Sequence, residues 1–260
     1  MCYNVFYIIM PLKSELGTEG ASGYMDNKDY NYKSLEEIDV NEITAYKGIY
    51  NRVIKRIFDF TLALFFLILL SPIILIIAVA VVIDSGFPVF YRAQRGGYRG
   101  KTFRIFKFRT MVQNADKIGG GTTALNDSRI TKVGNFLRKT KLDEIANLIS
   151  IVKGDMSFIG PRPELLKYTD AYEGAEKYIL EVRPGITDYS SIEFISLDEI
   201  VGENNADEYY EKYVLKKKNL LRIKYAATIS ISTDVKLFFK TVSSVLNKMF
   251  KFVFKREKKA

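Results

Sequence analysis

Residues 59–84 read DFTLALFFLILLSPIILIIAVAVVID, and the 24 residues from Phe60 to Ile83 carry no charge. As one continuous helix this run would reach about 36 Å at 1.5 Å per residue, enough for a hydrocarbon layer of about 30 Å. A single membrane-spanning helix is therefore one reading. Ser71-Pro72, at the centre of the run, supports another. Proline removes an amide donor and clashes with the preceding turn, so the helix bends there, and each half, about 18 Å long, is too short to cross alone. Basic residues flank both ends: Lys47, Arg52, Lys55 and Arg56 before the run, Arg92, Arg95, Arg99 and Lys101 after it. A spanning helix favours an asymmetric distribution of positive charge, whereas a hairpin that returns to its own side carries it at both ends. Prolines also kink ordinary spanning helices, so both readings stay open on these residues alone.

Outward from the run, residues 1–46 are polar and rich in Asn, Asp, Glu, Lys and Tyr, read as a poorly ordered extension with a short helix over Leu35–Ile43. The apolar stretch Val5–Met10 is too short, and too poor in preceding positive charge, for a cleaved signal peptide. Residues 47–84 form one unit around the apolar run, and residues 85–232 a second, soluble unit. There, strands are expected at Pro88–Arg92 and Thr102–Met111 around a turn at Gly96-Gly97. In the second strand Phe103, Ile105, Lys107 and Arg109 share one face by the period-two rule. Gly119-Gly120-Gly121-Thr122-Thr123 lacks a P-loop lysine and reads as a linker. Helices are expected at Val133–Lys139, Leu142–Val152, Pro163–Leu180 and Asp207–Lys218. In the last unit, residues 233–260, Val235, Phe238, Phe239, Val242, Val245, Leu246, Met249 and Phe250 recur at helical spacing, with Lys236, Lys240, Lys248 and Lys251 largely outside the stripe. Such a basic amphipathic helix either lies in a membrane interface or packs on a core.

Composition excludes several chemistries. The 260 residues contain no histidine, so there is no Ser-His-Asp triad, imidazole base or histidine-bound metal. One cysteine, Cys2, permits neither an internal disulfide nor a cysteine zinc site. Catalysis must rest on carboxylates, hydroxyls, lysine, arginine or an oxygen-ligated metal. The net charge of +9 favours anionic partners.

Three clusters have the residue types that such chemistry needs. In Arg138-Lys139-Thr140-Lys141-Leu142-Asp143-Glu144, Thr140 and Asp143 fit a helix-capping pattern. The same geometry would keep Asp143 ionised at a helix N-terminus, where a carboxylate is a competent nucleophile toward phosphorus and exposed amides attract phosphate. In Lys153-Gly154-Asp155-Met156-Ser157 through Gly160-Pro161-Arg162-Pro163-Glu164, glycine and two prolines impose a turn that presents Arg162, whose planar fork suits paired phosphate oxygens. A surface turn capped by an Arg162–Glu164 ion pair is the alternative. Lys107 with Arg109 forms the third cluster, a phosphate-facing pair or a solvated strand edge.

These segments, in order, resemble a known family: Lys55-Arg56-Ile57-Phe58-Asp59; Ser71-Pro72; Gln94-Arg95-x-Gly97; Phe103 through Met111; Asn126-Asp127-Ser128-Arg129-Ile130-Thr131; Leu142-Asp143-Glu144; Lys153 through Ser157; Gly160-Pro161-Arg162-Pro163; and Arg183-Pro184-Gly185-Ile186-Thr187. The set looks like the bacterial sugar transferases, the monotopic phosphoglycosyl transferases, over about residues 52–250, and like a short form of that family.

The resemblance implies an α+β, membrane-associated fold: a re-entrant N-terminal helix hairpin turning at Ser71-Pro72, a small mixed catalytic domain and interfacial amphipathic helices. It implies that Asp143 attacks the β-phosphate of a UDP-sugar, releases UMP and passes the phosphosugar to undecaprenyl phosphate. Glu144 would join Asp143 in holding Mg²⁺, which offsets diphosphate charge. By the same mapping Arg138, Arg162, Lys107 and Arg109 bind substrate phosphate. The expected setting is the inner membrane, with the catalytic domain facing the cytoplasm, a lipid bilayer as partner and no nucleic acid; a homodimer is left open. Two rivals remain: a membrane-anchored basic scaffold, whose binding would weaken steeply with salt, and a glycosyltransferase that releases UDP. Departures from the family pattern are Ala146-Asn147 after the dyad, in place of Pro-Gln, and Asp188-Tyr189-Ser190-Ser191-Ile192-Glu193-Phe194, in place of Gly-x-x-Gln-Val-Asn-Gly-Arg.

Overall fold

The structure, a computed structural model, describes Asn41 and residues 43–257. Cys2, the extension and nearly all of the helix expected over Leu35–Ile43 lie outside the described residues. The apolar run forms two helices, α1 (Lys55–Leu69) and α2 (Ser71–Ser85), entered through a π-helical turn at Tyr50–Ile54. They break at Leu70 and bend by 64°. Pro72 lacks the amide that would bond the carbonyl four residues back; the Ser71 hydroxyl donates to that Ile68 oxygen instead, at 2.8 Å. Among the described residues no single helix is long and apolar enough to cross a membrane, and only the bent pair passes by length and composition.

The first turns of α1 bind three other parts of the chain. Lys55 forms a buried ion pair with Asp234. Arg56 donates to the carbonyls of Ile151 and Val152 at 2.6 and 2.9 Å. Asp59 accepts from the Phe158 amide at 3.2 Å. Beyond these turns the pair leaves most of its apolar surface uncovered: Phe58, Ile68, Ile76 and Ile83 are 66%, 67%, 68% and 81% exposed.

The region expected to be two strands forms four: β1 (Phe90–Tyr91), β2 (Gln94–Gly96), β3 (Thr102–Arg104) and β4 (Lys107–Phe108). β2 pairs antiparallel with β3, Arg95 opposite Phe103, and β1 with β4, Tyr91 opposite Lys107. The turn runs through Tyr98–Gly100 rather than closing at Gly96-Gly97. Phe103 and Ile105 point inward as the alternation requires, but Phe108, from the other face, is buried too, because α2 covers that side.

Next come α3 (Lys132–Thr140), α4 (Asn147–Lys153) and β5 (Ser157–Ile159), which pairs in parallel with β6 (Gly185–Thr187). Just beyond this ladder Gly160 lies against Gly185. A Cβ on Gly185 would fall 2.2 Å from the Gly160 nitrogen, and one on Gly160 2.3 Å from the Arg183 oxygen, so only glycine fits at either place. The helix expected over Pro163–Leu180 is instead a short turn at Leu166–Thr169 and a 3₁₀ segment at Gly174–Glu181, since Gly174 takes φ of +50°. The acidic helix begins at Ala206–Tyr209 and leads through a π-helical turn into α5 (Leu215–Thr228), followed by α6 (Ile231–Glu257).

The helix pair straddles the segment around residues 137–151. Ala63 of α1 packs with Phe103, Leu148, Ile151 and Met156, while Ile77 and Val81 of α2 pack with Phe108, Leu137 and Ala146. On α6, Asp234 and Leu237 are buried, whereas Phe238, Phe239, Leu246 and Phe250 are exposed. Among the described residues the fold is thus helix-rich α+β with three two-stranded ladders.

Removing one partner of a buried ion pair leaves an uncompensated charge, at a cost of about 3–5 kcal/mol. Asp234→Ala strands Lys55 and should lower unfolding free energy by about that amount in detergent solution. Lys55→Met combined with Asp234→Leu should recover most of it.

Candidate active site

Lys141, with φ of +61°, ends α3 in the left-handed region and turns the chain into the 3₁₀ segment Leu142–Glu144. For a side chain other than glycine that conformation costs about 1–2 kcal/mol, and it persists here because both flanks are packed. Thr140 does not cap a helix as its spacing suggests; its hydroxyl donates back to the carbonyl of Phe136 at 2.8 Å. Asp143 accordingly stands in a 3₁₀ turn ahead of α4, not in the first turn of an α-helix.

Asp143 and Glu144 are both buried, at 7% and 8% exposure, yet their surroundings drive them apart. Burial and the adjacent Glu144 charge raise the Asp143 carboxyl, against opposition from Lys107, Lys141 and Arg138. This overturns the expectation of an acid held low by a helix terminus: desolvation outweighs the cations. Burial acts against ionised Glu144 as well, but Arg162 and Lys107 hold it well below the usual carboxylate range. Arg162 grips Glu144 with both terminal amines, Nη1 at 2.9 Å from Oε2 and Nη2 on Oε1, and also donates to the Ile186 carbonyl at 3.1 Å. Lys107 Nζ is 3.1 Å from Oε1, and burial pushes its ammonium down to about 8. Both Glu144 oxygens are therefore engaged. Asp143 Oδ1 is buried with no protein partner.

The other expected residues diverge. Arg138 donates to the hydroxyls of Thr110 and Thr123, at 3.3 and 2.6 Å. Arg109 is buried and directs Nη2 to Ser85 O at 2.7 Å and to Gly86 O, capping α2, while its Nε and Nη1 have no acceptor. The Lys107–Arg109 pair is thus no solvated edge. Arg162, Arg138, Lys107, Arg109, Asp143 and Glu144 all line one cavity of about 1160 Å³. Ser71 and Pro72 lie at the helix break, away from it.

Other contributors were not legible in the sequence. The Gly119–Thr123 loop, read as a linker, forms part of the cavity wall. Its Gly121 and Thr122 amides donate to Asp207 at 3.0 and 2.6 Å. Glu164 does not pair with Arg162. It accepts from Arg222 at 2.5 Å, with Lys218 at 3.5 Å and the Tyr210 hydroxyl close by, and burial notwithstanding, Arg222 and Lys218 hold its carboxyl far down. Lys218 and Arg222, four apart on α5 among apolar neighbours, were the available sign of a buried charged face. In the departing segment, Asp188 is fully buried and caps the short helix Tyr189–Glu193, accepting from the Ser191 amide at 2.7 Å. Ser190, Ser191 and Phe194 line the cavity. The pair Ala146-Asn147 ends the dyad turn and enters α4.

A buried acidic pair and several cations thus line one cavity in a fold that also carries a broken apolar helix pair. Residues 50–248 match the sequence profile of the family described as Bacterial sugar transferase, and the chain belongs to that family. It is 38% identical over 203 residues to the UDP-glucose:undecaprenyl-phosphate glucose-1-phosphate transferase of Escherichia coli (strain K12), covering 76% of this chain and 41% of that protein. It is 35% identical to the uncharacterized sugar transferase EpsL of Bacillus subtilis (strain 168), over 75% of this chain and 88% of the other. To the undecaprenyl-phosphate galactose phosphotransferase of Salmonella typhimurium it is 32% identical, over 76% and 41% respectively. The chain thus spans less than half the length of the first and third of these relatives.

The Arg222 guanidinium has no solvent exposure, so Glu164→Ala leaves a buried charge without its counterion. Unfolding free energy should fall by about 3–5 kcal/mol in denaturant titration. A loss under about 1 kcal/mol, the ordinary value of an exposed pair, would show the network to be dispensable to the fold.

Proposed function

We propose that this chain transfers a sugar 1-phosphate from a UDP-sugar to undecaprenyl phosphate, the first membrane step of surface-glycan assembly. The observation that carries the proposal is Asp143: a buried carboxylate whose Oδ1 has no protein partner, in a large cavity beside Lys107, Lys141 and Arg138. A carboxylate oxygen of Asp143 bonds to the β-phosphorus of the donor; the bond from that phosphorus to the bridging oxygen breaks, and UMP leaves with the electron pair. A phosphate oxygen of the carrier then attacks the same phosphorus. The Asp143–phosphorus bond breaks, which restores the carboxylate and yields a polyprenyl diphosphate sugar.

The paired charges set the roles. Glu144, already neutralised by Arg162 and Lys107, is no free nucleophile; it fixes those two cations at the cavity wall, where they face donor phosphate. Arg138, set by Thr110 and Thr123, adds positive charge, and Arg109 steadies the carboxy-terminal end of α2 against the cavity. The donor set fits Mg²⁺: the carboxylates of Asp143 and Glu144 would hold it, since Glu144 Oε2 accepts a single hydrogen bond and Asp143 has an unpartnered oxygen. When bound, Mg²⁺ would neutralise diphosphate charge.

The uncovered faces of α1, α2 and α6 support insertion into one leaflet of the inner membrane, with the catalytic domain on the cytoplasmic side. An apolar surface of that extent is unfavourable in water. The break at Leu70 and the charged contacts at the start of α1 suit a re-entrant pair. The relatives' names cite both glucose and galactose, and the Asp188–Phe194 segment on the cavity wall is where sugar choice would differ.

Asp143→Asn should abolish UMP release in a screen of UDP-sugars, and the phosphosugar adduct that intact-protein mass spectrometry detects with donor alone should vanish, while the protein still folds and inserts. Substantial residual turnover would exclude Asp143 as nucleophile, and release of UDP would point to plain glycosyl transfer. Chelation with EDTA should stop the reaction, and added Mg²⁺ should restore it. In a Cys2→Ser background, new cysteines at Arg52 and Arg92 should label from the same side of the membrane; labelling from opposite sides would refute re-entry.

A further inference from the structure

Helix α6 meets the domain through a largely polar face. Asp234 and Leu237 are buried, Thr241 exchanges a hydroxyl hydrogen bond with Thr187 at 2.8 Å, and Lys248 donates to the Ile195 carbonyl at 2.8 Å. The apolar side chains Phe239 and Phe250, 66% and 58% exposed, stand on the opposite side of the helix. The same polar face reaches the cavity that holds Asp143: Thr241, Ser244, Val245 and Lys248 line it, together with Lys139 and Lys141 at the end of α3. α6 packs on α3, so three lysines from these two elements share one stretch of wall. Lys248 lies 4.0 Å from Asp198, a long contact for an ion pair. Burial, then the like charge of Lys141 and of Lys139, makes its ammonium easier to deprotonate than usual, against the opposing charges of Asp198 and Glu199. Three cations held this close favour a bound anion.

Apolar groups accompany the cations. Phe136, half-exposed, precedes Lys139 by one helical turn on α3, and Val245 precedes Lys248 by one turn on α6. A site with ammonium groups inside and apolar side chains one turn away fits an amphiphile whose head is an anion. The Arg162–Lys107–Glu144 cluster is a different part of the wall, built from β4, the dyad turn and the loop after β5.

We propose that Lys139, Lys141 and Lys248 form the subsite for the phosphate head of the polyprenyl acceptor, distinct from the cations that face the donor. The isoprenoid chain leaves past Phe136 and Val245 into the bilayer beneath α6. Lys141, whose charge acts on Asp143, links this subsite to the nucleophile. The inference rests on the transfer reading for its role in turnover, but binding at the subsite can be measured without turnover.

The test uses the full chain in phosphatidylcholine nanodiscs doped with undecaprenyl phosphate, undecaprenol or phosphatidylglycerol. Native mass spectrometry reads lipid retention, and intact-protein mass spectrometry with donor alone reads adduct formation. Lys248→Glu should lose retention of undecaprenyl phosphate and raise the acceptor KM at least tenfold, while adduct formation stays within twofold; Lys248→Arg should recover retention. Unchanged retention in Lys248→Glu would overturn the subsite, as would equal retention of undecaprenol or phosphatidylglycerol by the unmodified protein. Loss of both retention and adduct in Lys248→Glu and Lys248→Arg alike would also overturn it, by placing Lys248 in the fold instead. If the unmodified protein never forms an adduct yet retains the lipid phosphate in a Lys248-dependent way, the transfer reading falls and the subsite stands.

Discussion

Lys55, Arg56 and Asp59 sit within the first five residues of α1, and each holds a different part of the domain: α6 through Asp234, the end of α4 through its carbonyls, and β5 through the Phe158 amide. The rest of the structure depends on this junction. An apolar helix pair with so much uncovered surface makes few directional contacts of its own, so its position relative to a polar site must come from the short charged stretch where it begins. Gly154, with φ of +92°, closes α4 beneath the Arg56 guanidinium, and a Cβ there would lie 3.1 Å from it. α4 follows the acidic pair directly. The junction therefore ties the height of the apolar pair to the place of Asp143.

The acidic pair illustrates how two neighbouring carboxylates acquire different duties. Both are desolvated, and desolvation acts against the ionised form of each. Glu144 is held low because a bidentate guanidinium and an ammonium converge on it; Asp143, one residue earlier, also lines the cavity, and its buried Oδ1 has no protein partner. Like charge between adjacent acids widens the difference. A second buried hub, Glu164 with Arg222 and Lys218, lies two residues beyond Arg162, so the segment 162–164 is held at both ends by ion pairs. Such double fixation gives the rigid placement that charge stabilisation in a reaction requires.

The three apolar surfaces, on α1, α2 and α6, fit together with these hubs. A helix of a soluble domain buries its apolar stripe. α6 instead docks through Asp234, Thr241 and Lys248 and leaves its stripe outside, which is the arrangement that the proposed membrane setting would use. In the proposed reaction this is the helix shared between bilayer and cavity, which is why its polar side chains fall on the wall that holds the nucleophile.

Much was legible in the sequence. The break at Ser71-Pro72 follows from a missing amide, α3 and α6 from helical spacing, and the grouping of Asp143, Glu144 and Arg162 from a family's motif order. These are local properties, determined by neighbours a few residues apart. What sequence alone misjudged was non-local. The Thr140–Asp143 spacing suggested a cap, but packing put a left-handed Lys141 there, and burial raised the acid that a helix terminus would have lowered. The glycine loop looked like a linker until Asp207, some 85 residues on, tied it to the cavity wall. Arg109 looked like a phosphate ligand or a solvated edge; it is buried, and one of its amines caps α2 while it also lines the cavity. Glu164 gained its partners from α5, more than 50 residues away. Charge and hydrogen-bonding capacity are written in the residue; which partner satisfies them, and how much water is left around them, is decided only when distant segments pack.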